Sequence, residues 1–292
     1  RVLSAVGYAA IHENFAEREA IKVMALLANI SLLAPLLGPV LGAFLIDYVS
    51  WHWGFVAIAL LALLSWVGLK KQMPSHKVSV TKQPFSYLFD DFKKVFSNRQ
   101  FLGLTLALPL VGMPLMLWIA LSPIILVDEL KLTSVQYGLA QFPVFLGLIV
   151  GNIVLIKIID RLALGKTVLI GLPIMLTGTL ILILGVVWQA YLIPCLLIGM
   201  TLICFGEGIS FSVLYRFALM SSEVSKGTVA AAVSMLLMTS FFAMIELVRY
   251  LYTQFHLWAF VLSAFAFIAL WFTQPRLALK REMQERVAQD LH

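Results

Sequence analysis

Eight mostly apolar runs, each about as long as the 20 residues a helix needs to cross hydrocarbon, constrain this chain more than any other feature. They lie at 21–48, 51–69, 101–127, 133–158, 166–187, 190–215, 228–248 and 254–273, and residues 1–11, RVLSAVGYAAI, read as the tail of a ninth. In lipid every backbone N–H and C=O must be bonded internally, which leaves helices or closed barrels. The alternation of a barrel strand is absent, and each run is far longer than such a strand needs. Only 12% of the 292 residues are charged, against 61% hydrophobic. A giant soluble core is no alternative, because single cores stop growing at roughly 250–300 residues. The fold class is an all-α polytopic membrane protein.

Orientation follows from the Lys/Arg bias of the short loops. Segments 12–22, 70–100, 157–166, 216–227 and the tail after 275 hold 18 of the 21 Lys and Arg residues. The opposite loops hold only Lys131 and Arg249, and Arg1 is ambiguous. The basic side is therefore cytoplasmic, with the C-terminus on it. The net charge of +6 is topological, and no nucleic-acid partner is needed to explain it. Within 70–100, the longest polar segment, Phe85, Leu88, Phe89, Phe92, Val95 and Phe96 recur at helical spacing. That spacing predicts an amphipathic helix lying on the inner surface.

The run LLAPLLGPVLGAFL, Leu32 to Leu45, carries two prolines and two glycines. In a soluble helix each proline costs about 3 kcal/mol and each glycine about 1 kcal/mol against alanine. In lipid both are tolerated, because neighbouring helices satisfy the freed groups. Ala34, Gly38 and Gly42 fall at i, i+4 and i+8, with Ala43 beside them, a stripe that lets another backbone approach closely. Pro35 and Pro39 free the carbonyls of Ser31 and Pro35. These residues alone describe either a kinked packing helix or a dedicated seam.

The pattern Ala34-x-x-x-Gly38-Pro39-x-x-Gly42-Ala43 resembles the fifth-helix antiporter signature of drug/proton antiporters of the major facilitator superfamily. WIALSPII at 118–125, YGLAQFPVF at 137–145, GNIVL at 151–155 and SKGTVAAA at 225–232 are similar to the same branch. The resemblance extends over essentially the whole chain. It implies a partial major facilitator fold, helices 5–12 plus the tail of helix 4. On that mapping residues 1–69 are a remnant of the N-terminal six-helix half and 70–100 are the cytoplasmic central loop. Residues 101–274 are then the C-terminal six-helix half, and 275–292 a basic cytoplasmic tail. The resemblance further implies a multi-pass, monomeric protein of the bacterial inner membrane that exports small lipophilic drugs or cations. It uses no cofactor and draws on the proton gradient for energy.

The candidate site residues sort by chemistry. The seam is Ala34, Pro35, Gly38, Pro39, Gly42 and Ala43. By resemblance the two cavity-lining helices offer Asn29, Ser31, Leu32, Leu115, Met116 and Trp118, where leucine and methionine surfaces repack around varied ligands. Glu207, in CFGEGIS, is the one acid well inside a run. It reads either as a proton or cation site or as a carboxylate paired with a nearby base, since ionisable groups in the membrane are costly. Glu246 is a second charge candidate, although Arg249 at i+3 suits a plain ion pair. Asp160 and Arg161, with Gly165-Lys166, resemble the family's inner gate loop, interrupted here by two extra residues. Asp47 reads as solvated. The five histidines fall in loops or at span edges, and Cys195 and Cys204 read as small hydrophobes. No nucleophile elbow, phosphate loop or ligand cluster points to an enzyme. Two further readings stay open: a facilitator of a different small solute, and a truncated membrane protein without transport.

Overall fold

The computed structural model describes residues 17–44, 50, 52–72, 85–162 and 164–273. The expectations for residues 1–11, Asp47 and the 275–292 tail lie outside these residues, as do the side chains of Leu32, Ala34, Pro35, Pro39 and Ala43. The described chain is helical throughout, in the order α1 Glu17–Phe44, α2 His52–Gln72, α3 Phe85–Ser97, α4 Arg99–Pro123, α5 Ser134–Ile158, α6 Leu164–Val187, α7 Leu192–Met220, α8 Lys226–Phe255 and α9 Leu257–Thr273. Five of them are long and apolar enough to cross a membrane, and His52–Gly68 and Leu257–Phe272 are shorter apolar helices.

Local chemistry sets the ends. Asn98 caps α4, its side chain accepting from the backbone of Gln100 and Phe101. Thr133 and Gln136 form a reciprocal capping box at the start of α5. Ser225 caps α8 by accepting from Thr228. Helix α3 lies in the segment where the spacing predicts an amphipathic helix: Val95 is buried and Phe92 and Phe96 pack on the core, while Phe89 is exposed. That helix rests against α8 and α4.

Two boundaries differ from the apolar runs. After Pro123 the α4 spiral widens into a π-helical turn, Ile124–Glu129, which closes with Leu130 N–H donating to the Ile125 carbonyl at 3.0 Å. Helix α8 runs on to Phe255 and turns at His256, whose φ is 47°. The charged pair Glu246–Arg249 interrupts the apolar run yet lies on the exposed face, so it does not break the backbone ladder.

The core is built around α7, which packs against α6, α5, α4, α8 and α1. Trp118, Phe101, Leu108, Met113 and Leu117 on α4 and Phe260 on α9 are fully buried in it. Contact across α6 and α7 depends on missing side chains. A Cβ on Gly178 would sit 2.6 Å from the Gly199 carbonyl, and one on Gly199 would sit 2.8 Å from the Gly178 carbonyl. Such backbone contact is the small-residue packing that lipid-solvated helices use in place of a hydrophobic driving force. Helix α2 shows the opposite pattern, with Trp53, Phe55, Leu60, Leu64 and Trp66 all exposed.

Candidate functional site

Three successive residues of α7 organise the site. Neighbouring helical residues point about 100° apart, so Gly206, Glu207 and Gly208 address three different neighbours. A Cβ on Gly206 would collide with α6, 2.6 Å from the Gly171 carbonyl. A Cβ on Gly208 would collide with α5, 2.6 Å from the Leu148 carbonyl and 2.8 Å from the Asn152 nitrogen. The helix is clamped on both sides, and the side chain between the glycines is left pointing toward α4 and α8. There Glu207 Oε1 lies 3.6 Å from the place a Cβ on Gly112 would occupy, a position also approached by Phe241 at 3.1 Å and Phe211 at 3.4 Å. Glu207 is 6% exposed, and its Oε2 has no hydrogen-bond partner among the described residues. An acid carboxyl buried among rings and unpaired can take up a proton or attract a cationic or polar ligand.

A second cluster joins α1 to the end of α5. Lys22 of α1 forms an ion pair with Asp160, in the turn after α5. Arg18 donates to the Ile159 carbonyl. Two turns further along α1, Asn29 accepts from Asn152 at 2.7 Å. Ala20, Ile21, Met24 and Ala25 are buried between these contacts, whereas Ile30 and Leu37 are exposed. The structure thus brings Asp160 and Asn29 onto the same helix pair. Arg161 is exposed beside it.

The other candidates are placed as follows. Ser31 is exposed and bonds to the Leu27 carbonyl of its own helix at 2.9 Å. Gly38 and Gly42 have no atom within 4 Å of a built Cβ, so among the described residues the stripe meets no close backbone. Leu115 is buried, Met116 is partly buried and packed on the core, and Trp118 is 0% exposed. Trp118 lies inside the bundle, its Nε1 donating to Gln141 Oε1 at 2.8 Å. Gln141 Nε2 in turn donates to Ser122 Oγ at 3.3 Å, and Ser122 lies 3.4 Å from Tyr137 Oη. Glu246 sits 3.9 Å from Arg249 in an exposed pair. Among the described residues no three His, Cys, Asp or Glu side chains gather as a metal site, and Cys195 and Cys204 are free thiols.

Asn152, Gln141 and Lys22 are partners that sequence reasoning did not single out. Asn152 and Gln141 stood inside quoted motifs, and a polar amide in an apolar run is itself a signal. The glycines at 171, 178 and 185 and at 199 and 206 repeat every seven residues, a visible signature of the α6–α7 contact. Lys22 offered no signal beyond its sign.

The sequence profile of the Major Facilitator Superfamily matches residues 1–247. The chain is 99% identical over 291 residues to the chloramphenicol resistance protein CraA of Acinetobacter baumannii, covering 100% of this chain and 70% of that protein. It is 38% identical over 251 residues to the multidrug transporter MdfA of Yersinia pestis, covering 86% of this chain and 61% of the relative. Against MdfA of Escherichia coli O157:H7 the identity is 40% over 250 residues, with 85% and 61% covered. The chain therefore spans 61–70% of the length of these relatives.

Proposed function

The chain belongs to the Major Facilitator Superfamily, and on that premise we propose that it serves secondary active export of lipophilic drugs, chloramphenicol among them, in exchange for protons. It is a multi-pass protein of the bacterial inner membrane. The observation that carries the reading is Glu207, a carboxyl buried inside a membrane-spanning helix with one oxygen unpartnered among the described residues. In a proton-coupled exporter such a group alternates between holding a proton and engaging substrate, which couples the two fluxes. No covalent step on the substrate is required and no cofactor is used. The proton gradient supplies the energy, and a monomer suffices.

Alternating access needs one end of the transport path closed while the other is open. The contacts of α1 with α5 close the inner end through Lys22–Asp160, Arg18–Ile159 and Asn29–Asn152. Asn29, Ser31, Leu115 and Met116 are the positions proposed to meet the drug. The seam role of Gly38 and Gly42 is proposed for contacts beyond the described residues. The gate role belongs to Asp160, with Arg161 beside it.

The test is drug accumulation in an efflux-deficient bacterium expressing the chain. Expression is expected to lower cell-associated chloramphenicol, a protonophore to abolish that effect, and Glu207→Gln to abolish it without lowering the amount of protein in the membrane. Accumulation equal to that of cells carrying an empty vector would overturn the proposal.

A further inference from the structure

Helices α1 and α5 run antiparallel and meet through a pair of amides, one buried and one half-buried. Asn152 Nδ2 donates to Asn29 Oδ1 at 2.7 Å. Asn152 is 3% exposed, and its backbone is fixed by the close approach of α7, where a Cβ on Gly208 would sit 2.8 Å from the Asn152 nitrogen. Asn29 is only half-buried. It stands where α1 leaves the packed zone, between Ala25 at 0% and Ile30 at 56% exposure. Lys22, which closes the inner end, is seven residues earlier, about 10 Å away at 1.5 Å per residue.

An asparagine amide has an acceptor oxygen and an NH2 with two donor hydrogens. Asn152 donates to the oxygen of Asn29 and so sets which way the NH2 of that amide faces. The half left over is the NH2, at the margin of the packed zone and just outward of the closed inner end. While that bond holds, the Asn29 NH2 stays turned away from Asn152.

We propose that Asn152 is a positioning residue that orients the Asn29 amide, so that its NH2 donates a hydrogen bond to an acceptor oxygen of a neutral drug lying against α1. The proposal rests on the drug-export reading and deepens it by assigning a ligand class: uncharged molecules carrying a carbonyl, nitro or hydroxyl oxygen. Apolar walls hold such a ligand by area alone, whereas a single fixed donor separates ligands that have the acceptor from those that lack it. Lipophilic cations without oxygen make no use of this donor, and the carboxyl of Glu207 is the group available to them.

The experiment is equilibrium binding of chloramphenicol and of tetraphenylphosphonium to the purified chain in phosphatidylethanolamine–phosphatidylglycerol nanodiscs. Wild type is compared with Asn29→Asp, Asn29→Ala and Asn152→Ala, and the thermal melting of each variant reports whether the bundle is intact. Asn29→Asp keeps an acceptor for Asn152 but has no NH2, so it separates the donor from the helix contact. It is expected to weaken chloramphenicol binding about tenfold or more, as loss of a built hydrogen bond does, with tetraphenylphosphonium bound no more weakly than by wild type. Asn152→Ala is expected to weaken chloramphenicol selectively too. Unchanged chloramphenicol binding in Asn29→Asp, or equal loss of both ligands in Asn29→Asp and Asn152→Ala, overturns the proposal and leaves the pair a helix contact only. Wild type that binds tetraphenylphosphonium but not chloramphenicol overturns it as well and removes chloramphenicol from the export reading, while export of lipophilic cations stands. Binding of neither ligand removes both.

Discussion

Lys22, in the second turn of α1, and Asp160, in the turn that follows α5, form an ion pair across 138 positions of the chain. Their side chains are 33% and 54% exposed, so the pair contributes at most about 1 kcal/mol to stability. Its consequence is positional: it ties the N-terminal end of α1 to the turn after α5, the element proposed above as the gate. Lys22→Asp and Asp160→Lys are each expected to lower drug export with little change in melting temperature. The double swap is expected to restore most of it. An assay of drug accumulation in cells checks this, and a swap no better than either single change would remove the pairing as the cause.

Glycines on α7 and on α1 make opposite predictions. Gly208→Ala places a methyl group 2.6 Å from the Leu148 carbonyl and 3.0 Å from the Gly151 carbonyl carbon. Backbone has no rotamer with which to yield, so the cost is expected at about 1–3 kcal/mol, that of an overpacked core. Gly38→Ala meets nothing within 4 Å and gains about 0.5–1 kcal/mol of helix propensity. Thermal melting in detergent orders the three proteins, with Gly38→Ala at or above wild type and Gly208→Ala below it.

The buried chain Trp118–Gln141–Ser122 joins α4 to α5. Gln141→Leu leaves the indole N–H of a fully buried tryptophan without its acceptor, at about 1–3 kcal/mol. Trp118→Phe leaves the amide oxygen unmet instead. The two changes share one bond, so the double variant is expected to lose less stability than the sum of the singles. A double-mutant cycle on melting data checks this, and strict additivity would show that the bond carries nothing.

Among the described residues, two other than glycine adopt positive φ, Lys131 at 57° and His256 at 47°, and both flank the same end of the bundle. His256 lies 3.8 Å from Glu129, the last residue of the π-helical turn. Left-handed backbone costs roughly 1–2 kcal/mol for an L-residue with a Cβ. Lys131→Gly is therefore expected to raise the melting temperature, offset in part by the extra freedom glycine has in the unfolded chain. His256→Gly is expected to gain less, because it also removes the contact with Glu129. Melting curves of the two variants give the order.

Much of the architecture was legible in the residues because hydrocarbon imposes a length rule on helices and the inner leaflet a charge rule on loops. The runs at 133–158 and 166–187 match α5 and α6 almost residue for residue. The amphipathic spacing at 85–96 is α3. Glu207 was legible as a costly buried acid. Its orientation was not, since Gly206 and Gly208 acquire meaning only against Gly171 and Leu148 on other helices. Trp118 read equally well as a cavity residue, and only its bond to Gln141 places it inside the bundle.

The amino-acid order by itself determined the solvent, the all-helical class and the family. Each of these depends on local sums over composition, length and charge. Tertiary structure alone decided that α7 is clamped by glycines so that Glu207 points at α4 and α8, and that α1 closes on α5 at Lys22 and Asn29. Those facts depend on which helix faces become neighbours: the spacing of the α6 and α7 glycines can be read along the chain, but the partners that Gly208, Lys22 and Asn29 meet on α5 and its following turn cannot.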